Sequence, residues 1–263
     1  MKPTPHQLSV SQLSLYNPAR LADEEIIASF AVRQTVFERI LADVTGEKRR
    51  SRAQHHLVVG QRGMGKSMLL ARLAAELRQQ PKLSATFLPL VFAEEQYAVD
   101  RLSKFWLNCL DSLADACERA GNAVAAKRID YAVRQLAPRQ GASAARDEEP
   151  AAEALQTFLD ETVALERRPV LLVDNLQLVF ERLADQQQHV LRELLMRPGG
   201  PLLIGASPSP PPESRDYGAA FYDHFKVHYL AALSVEQMRQ LMLTLAERVG
   251  RADVRERILR EPH

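Results

Sequence analysis

Leu57-Val58-Val59-Gly60-Gln61-Arg62-Gly63-Met64-Gly65-Lys66-Ser67-Met68-Leu69-Leu70-Ala71-Arg72-Leu73-Ala74-Ala75-Glu76-Leu77 is the stretch whose reading decides the fold. Its first three residues form an apolar run that reads as a buried strand. Apolar residues at Leu69, Leu70, Leu73 and Leu77 then recur at helical spacing. Between them, GQRGMGKS (Gly60 to Ser67) has the strand–GxxxxGK–Ser/Thr–helix form of a phosphate-binding loop. The glycines let the backbone turn its N–H groups inward, and the new helix offers its positive end to the same anion. The cofactor-binding set is therefore Gly60, Gln61, Arg62, Gly63, Met64, Gly65, Lys66, Ser67 and Met68. Lys66 would reach the β- and γ-phosphates, and the Ser67 hydroxyl would ligate Mg²⁺.

Working outward, the chain reads as strands separated by helices. Upstream, Ile26, Ile27 and Phe30, then Val36, Phe37, Ile40, Leu41 and Val44, follow a helical period from Asp23 onward. Downstream, Ala85 to Phe92 reads as a strand, and Pro89 inside it suggests an edge position or a strand split in two. Helices are expected from about Leu102 to Ala114, Ala123 to Leu136, Ala151 to Glu166, Gln187 to Met196 and Asp216 to Phe225. Buried strands are expected at Val170–Val173 and Leu202–Ala206, with a short one at Val227–Leu230. The expected fold is α/β, a parallel sheet sandwiched by helices. Residues 1–22 read as an N-terminal arm, 23–232 as the core with 138–150 as a mobile surface loop, and 233–263 as the start of a helical lid.

Ligands of such sheets bind at the carboxyl ends of the strands. Asp174 follows Val170–Val173 in the pattern of a Walker B strand, where a carboxylate would hold Mg²⁺ opposite Ser67. Asn175 stands where many ATPases carry a glutamate base, and an amide orients water without accepting its proton. Glu94 and Glu95, just after the second strand, are the candidate substitutes. Ser207 ends the fourth strand and is placed to sense a γ-phosphate, and Arg215 beyond it could serve as an arginine finger in a neighbouring subunit.

The order of GQRGMGKS, VLLVDN and LLIGAS resembles the AAA+/STAND branch of P-loop ATPases. FAVRQTVFERIL, Phe30 to Leu41, resembles a box that packs near adenine in STAND and initiator-type relatives, with Val32 and Gln34 departing from its pattern. The resemblance implies that Arg33 belongs to the nucleotide site and that the nucleotide is ATP or ADP. It also implies that FYDHFKVHYLAALSVEQMRQLM, Phe221 to Met242, joins the core to a lid. The relatives' lids hold several helices, so the shorter stretch here implies either a minimal lid or, as the preferred expectation, a chain cut within a longer protein.

The 263 residues, of which 46% are hydrophobic and 25% charged, suit one large domain or one domain with a small appendage. A net charge of +1 gives no global attraction to nucleic acid or membrane surfaces, and the basic run Glu47 to Arg52 reads as a solvated loop. Cys109 and Cys117 lie eight residues apart within one helical pattern, too far to bridge. With no apolar leader and no run approaching a membrane span, a cytoplasmic, membrane-free protein is expected. Three functions fit: an ATP-driven switch acting on a protein partner or through self-assembly; a DNA-associated loader or transposition regulator, which no basic patch supports; and a binding-only weak ATPase, suggested by Asn175.

Overall fold

The computed structural model describes residues 21–46, 53–92, 99–137 and 146–260. Five parallel strands form one sheet: β1 (His55–Val59), β2 (Phe87–Val91), β3 (Arg168–Val173), β4 (Leu202–Ser207) and β5 (Phe225–Tyr229). Their spatial order is β2-β3-β4-β1-β5, so β2 and β5 are the edges. Adjacent side chains along each strand point to opposite faces. Val58, Val170, Leu172, Ile204 and Ala206 meet one apolar cluster, while Leu57, Val59, Leu171, Val173 and Leu203 meet another. Both faces are thus covered, which is why the strands read as continuous apolar runs.

Helices α1 (Asp23–Ser29), α2 (Gln34–Gly46) and α3 (Lys66–Gln79) precede β2, with a single turn α4 (Pro81–Ser84) between. The opposite face carries α5 (Leu102–Arg119), α6 (Ala123–Leu136) and α7 (Glu148–Ala164), then α8 (Gln177–Arg182) and α9 (Asp185–Leu195). The chain ends in α10 (Val235–Val249) and α11 (Ala252–Arg260). Ser234 and Gln237 form a capping box at the start of α10. Both cysteines are free and buried in α5. No helix among the described residues is long and apolar enough to cross a membrane.

Pro89 sits in an edge strand, as expected. Arg168 donates to the Thr86 carbonyl and Phe92 donates to the Leu172 carbonyl. By alternation, the backbone of Pro89 faces the free edge, where its missing N–H costs the ladder nothing.

Several expectations need correction. The helix placed at Asp216–Phe225 is a series of turns after a 3-10 turn at Pro212–Ser214. Phe221 is fully buried, stacks 4.3 Å from Phe180, and donates its N–H to the Glu213 carbonyl at 3.1 Å; Gly218 (φ 132°) and Asp223 (φ 50°) break the helical path. The region after β3 holds two helices rather than one. The Gln188 amide caps α8 by donating to the Phe180 (2.9 Å) and Leu183 (3.1 Å) carbonyls. Of the stretch read as a loop at 138–150, residues 138–145 and the basic run 47–52 lie outside the described residues. Asp147, however, is buried and accepts bonds from the Ser103 N–H (3.0 Å), the Ser103 hydroxyl and the Gln187 amide (3.2 Å). These fix the start of α7 at Glu148.

Candidate nucleotide site

The glycine-rich loop expected to bind phosphate runs from the end of β1 to the start of α3. Gly63 (φ 83°) and Gly65 (φ 88°) adopt left-handed backbone, which costs an L side chain about 1–2 kcal/mol and glycine nothing. Gly60 is favoured for another reason, the tight space beside it. A Cβ there would lie 3.0 Å from Leu230 Cβ and 3.2 Å from Met64 Sδ. The Gly60 N–H donates to the Ser207 carbonyl at 3.1 Å, which brings the ends of β1 and β4 together.

Lys66 is buried, with its ammonium donating to the carbonyls of Gly60 (2.6 Å) and Gln61 (3.1 Å). Burial lowers its pKa, and the nearby Asp174 carboxylate partly offsets this. The Ser67 hydroxyl donates to Asp174 Oδ2, linking the first turn of α3 to the end of β3. No side-chain cap satisfies the α3 N-terminus. The residues therefore fit a phosphate with a divalent cation: an ammonium meeting only neutral carbonyls, an uncapped positive helix end, and a hydroxyl paired with a carboxylate. Among the described residues no group of three or more His, Cys, Asp or Glu forms a metal cage, so a cation here would rely on phosphate and water for its other ligands.

Asn175 follows with φ 52°, and its N–H donates to Asp174 Oδ1 at 2.9 Å. Asparagine is among the residues that tolerate this conformation, whereas a glutamate would be strained. Leu176 then donates its N–H to the Ala206 carbonyl at 2.8 Å, pinning the segment over β4. Ser207 is fully buried, and its hydroxyl donates to the Ser209 carbonyl. Its backbone is thus beside the loop while its hydroxyl serves its own turn.

Arg33 precedes α2 with φ 73°; burial lowers its pKa, and its Nε is buried without a hydrogen-bond partner. Its segment is held to α3 by Arg72, whose guanidinium lies 4.3 Å from the Phe37 ring centroid and 6.0 Å from that of Phe30. Glu76, one turn along, pairs with Arg72. The Phe30–Leu41 stretch is therefore packed against the helix that leaves the loop. Arg215 is exposed after the 3-10 turn. Glu94 and Glu95 lie outside the described residues.

Two supporting residues escaped sequence reasoning. Gly205 is needed because Leu176 occupies the space a side chain would fill. Leu230 closes over Gly60 and donates its N–H to the Val59 carbonyl at 2.7 Å. A glycine within an apolar strand was the available signal for the first; Leu230 carried none.

A family model described as "AAA ATPase domain" matches residues 29–204. Among solved structures, the Aeropyrum pernix ORC1 protein in complex with DNA matches with a TM-score of 0.55 at 12% identity, over 82% of this chain and 48% of that one. Cdc6p from Pyrobaculum aerophilum gives 0.46 at 15% identity, over 87% and 54%. The ADP form of the A. pernix ORC2 protein gives 0.48 at 10% identity, over 86% and 67%. Identities this low speak to fold alone, and the first match is the one that carries the likeness. This chain spans about half the length of the first two structures. Comparison with curated protein sequences gives no match.

Proposed function

Because this chain belongs to the AAA ATPase domain family, we propose that it is an ATP-binding, Mg²⁺-dependent switch whose nucleotide state is read by a protein partner. Nucleotide binding follows from the family. The Ser67–Asp174 bond beside Lys66 is the observation that supports the finer reading. In that reading Lys66 releases its loop carbonyls to engage the β- and γ-phosphates, and Gly60–Met68 cradle them. Ser67 and Asp174 would hold Mg²⁺, which would supply charge neutralisation at the phosphates. Arg33 lies at the nucleotide's base end. Hydrolysis to ADP and phosphate is slow, because Asn175 orients water but cannot take its proton. Glu94 or Glu95 would supply the missing base, Ser207 would position water once its hydroxyl turns, and Arg215 would act on a neighbouring molecule's nucleotide.

Asn175, an amide where a glutamate base would stand, favours one further reading, a binding-only protein. Turnover of ATP separates the two. Slow release of phosphate that disappears in Lys66→Ala supports the switch ATPase. Tight binding without turnover supports the binding-only form. The ORC1 structure was solved with DNA. Salt-dependent DNA binding by this chain, stronger with ATP, would move the output from a protein partner to nucleic acid.

A further inference from the structure

The two edges of the sheet are treated differently. On β2 the backbones of Phe87, Pro89 and Val91 face outward by alternation, and Pro89 removes the central donor. On β5 the N–H of Leu230 is turned to Val59, so Phe225, Val227 and Tyr229 present their N–H and C=O groups to the free edge. No proline interrupts Phe225–Tyr229. Among the described residues, no loop or helix backbone hydrogen-bonds to these three. Exposed edges are commonly guarded by a charged side chain, and Lys226 would be the guard here. Its ammonium is instead held 2.6 Å from Asp43 on α2. Tyr229 on this strand is 67% exposed, and in the turns that precede it Tyr222 is 39% and Tyr217 86% exposed. Tyr217 and Tyr222 meet edge-on at 5.3 Å. Arg192 steadies the segment between them, donating to the carbonyls of Ala220 at 2.7 Å and Tyr222 at 3.4 Å.

We propose that the β5 edge is the docking site for β5 of a second copy of this chain, joined antiparallel about Val227. The strand is self-complementary in that arrangement. Val227 opposes Val227, and Phe225 opposes Tyr229 on each side. All three opposed pairs have their backbones turned toward one another, so each exchanges both of its N–H···O bonds. Aromatic side chains opposed across strands add to the pairing. On the other face Lys226 opposes His228, a buried histidine beside His56, so no two like charges of fixed sign meet. The pairing also closes. Pro89 blocks the opposite edge, so joining β5 to β5 gives a two-fold dimer and not an extending sheet.

The test is the mass of the native chain in solution, measured by light scattering or sedimentation over a range of concentrations. The expected result is a concentration-dependent dimer, twice the 29.5 kDa chain mass. Val227→Pro places in β5 the device already present in β2, and should raise the dissociation constant at least tenfold. Tyr229→Lys puts a charge on an exposed edge position and should do the same with the fold intact, as judged by circular dichroism. It keeps the test valid if the proline variant does not fold. A monomer at all concentrations, an assembly larger than a dimer, or a dimer that persists in Tyr229→Lys would overturn the proposal.

Discussion

Leu176 lies against the backbone of Gly205: a Cβ built on the glycine would sit 3.1 Å from Leu176 Cβ and collide with its Cδ2. This contact ties the segment Asp174–Leu176 down on β4 and so sets where the carboxylate stands relative to Ser67. Gly205→Ala should cost roughly 1–3 kcal/mol through overpacking. For a chain of this length that lowers the melting temperature by several degrees. It should also weaken Mg²⁺-dependent nucleotide binding, since Leu176 must lift. Differential scanning fluorimetry with and without nucleotide reads both effects, and an unchanged melting temperature would show that the site can relax.

Four buried histidines meet at β1, two on the strand itself and two from the start and middle of the neighbouring β5 region. His55 stacks on His224 at 4.4 Å, and His56 Nδ1 lies 3.1 Å from His228 Nε2. Burial pushes His55 down to about 4 and His56 and His224 to about 3, and lowers His228 as well. Their unfolded pKa is 6.5. Between these values the unfolded chain binds more protons, so stability rises with pH there. It is fully present above 6.5 and falls as pH drops from 6.5 toward 4 and 3. By pH 5 the loss should be roughly 2 kcal/mol for each strongly shifted group. Both ring nitrogens of His224 are buried without partners. His224→Phe should therefore flatten the pH dependence without lowering stability at pH 7.5. Urea unfolding at pH 7.5, 6 and 5 checks this; equal slopes in wild type and variant would contradict it.

Asp147 accepts from two donors on Ser103 and one on Gln187 within a fully buried environment. Asp147→Ala strands these donors and should destabilise by about 1–3 kcal/mol. Asp147→Asn, which keeps one acceptor oxygen, should recover part of that. Chemical denaturation of both variants checks the order; equal losses would show that the hydrogen bonds are not the cause.

Asn175 holds a left-handed backbone. Asn175→Gly should be stable to within about 1 kcal/mol, while Asn175→Ala should lose roughly 1–2 kcal/mol from backbone strain. Asn175→Glu, which installs a base, should carry the same strain and so gain little turnover. A large rise in phosphate release by Asn175→Glu would show that the left-handed turn is not what keeps glutamate from this position.

The glycine-rich turn between β1 and α3 was legible because its signals are local: three glycines, Lys66 and Ser67 lie within eight consecutive residues. The central strands β3 and β4 were legible because burial on both faces makes them largely apolar. The edge position of β2 was visible through Pro89. What sequence could not show depends on partners far along the chain. Gly205 matters only because Leu176 folds onto it. Arg72 joins Phe30 and Phe37 only once α2 lies on α3. The segment before β5 looked helical by its period, yet Phe221 is drawn inward to stack on Phe180.

The most direct test is titration calorimetry of ATP into the native chain, with and without Mg²⁺, alongside Lys66→Ala and Asp174→Ala. The expected result is binding that tightens with Mg²⁺, is lost at least a hundredfold in Lys66→Ala, and loses its Mg²⁺ dependence in Asp174→Ala. ATP binding of equal strength in wild type and Lys66→Ala, or none in wild type, would contradict placing the nucleotide on Gly60–Ser67.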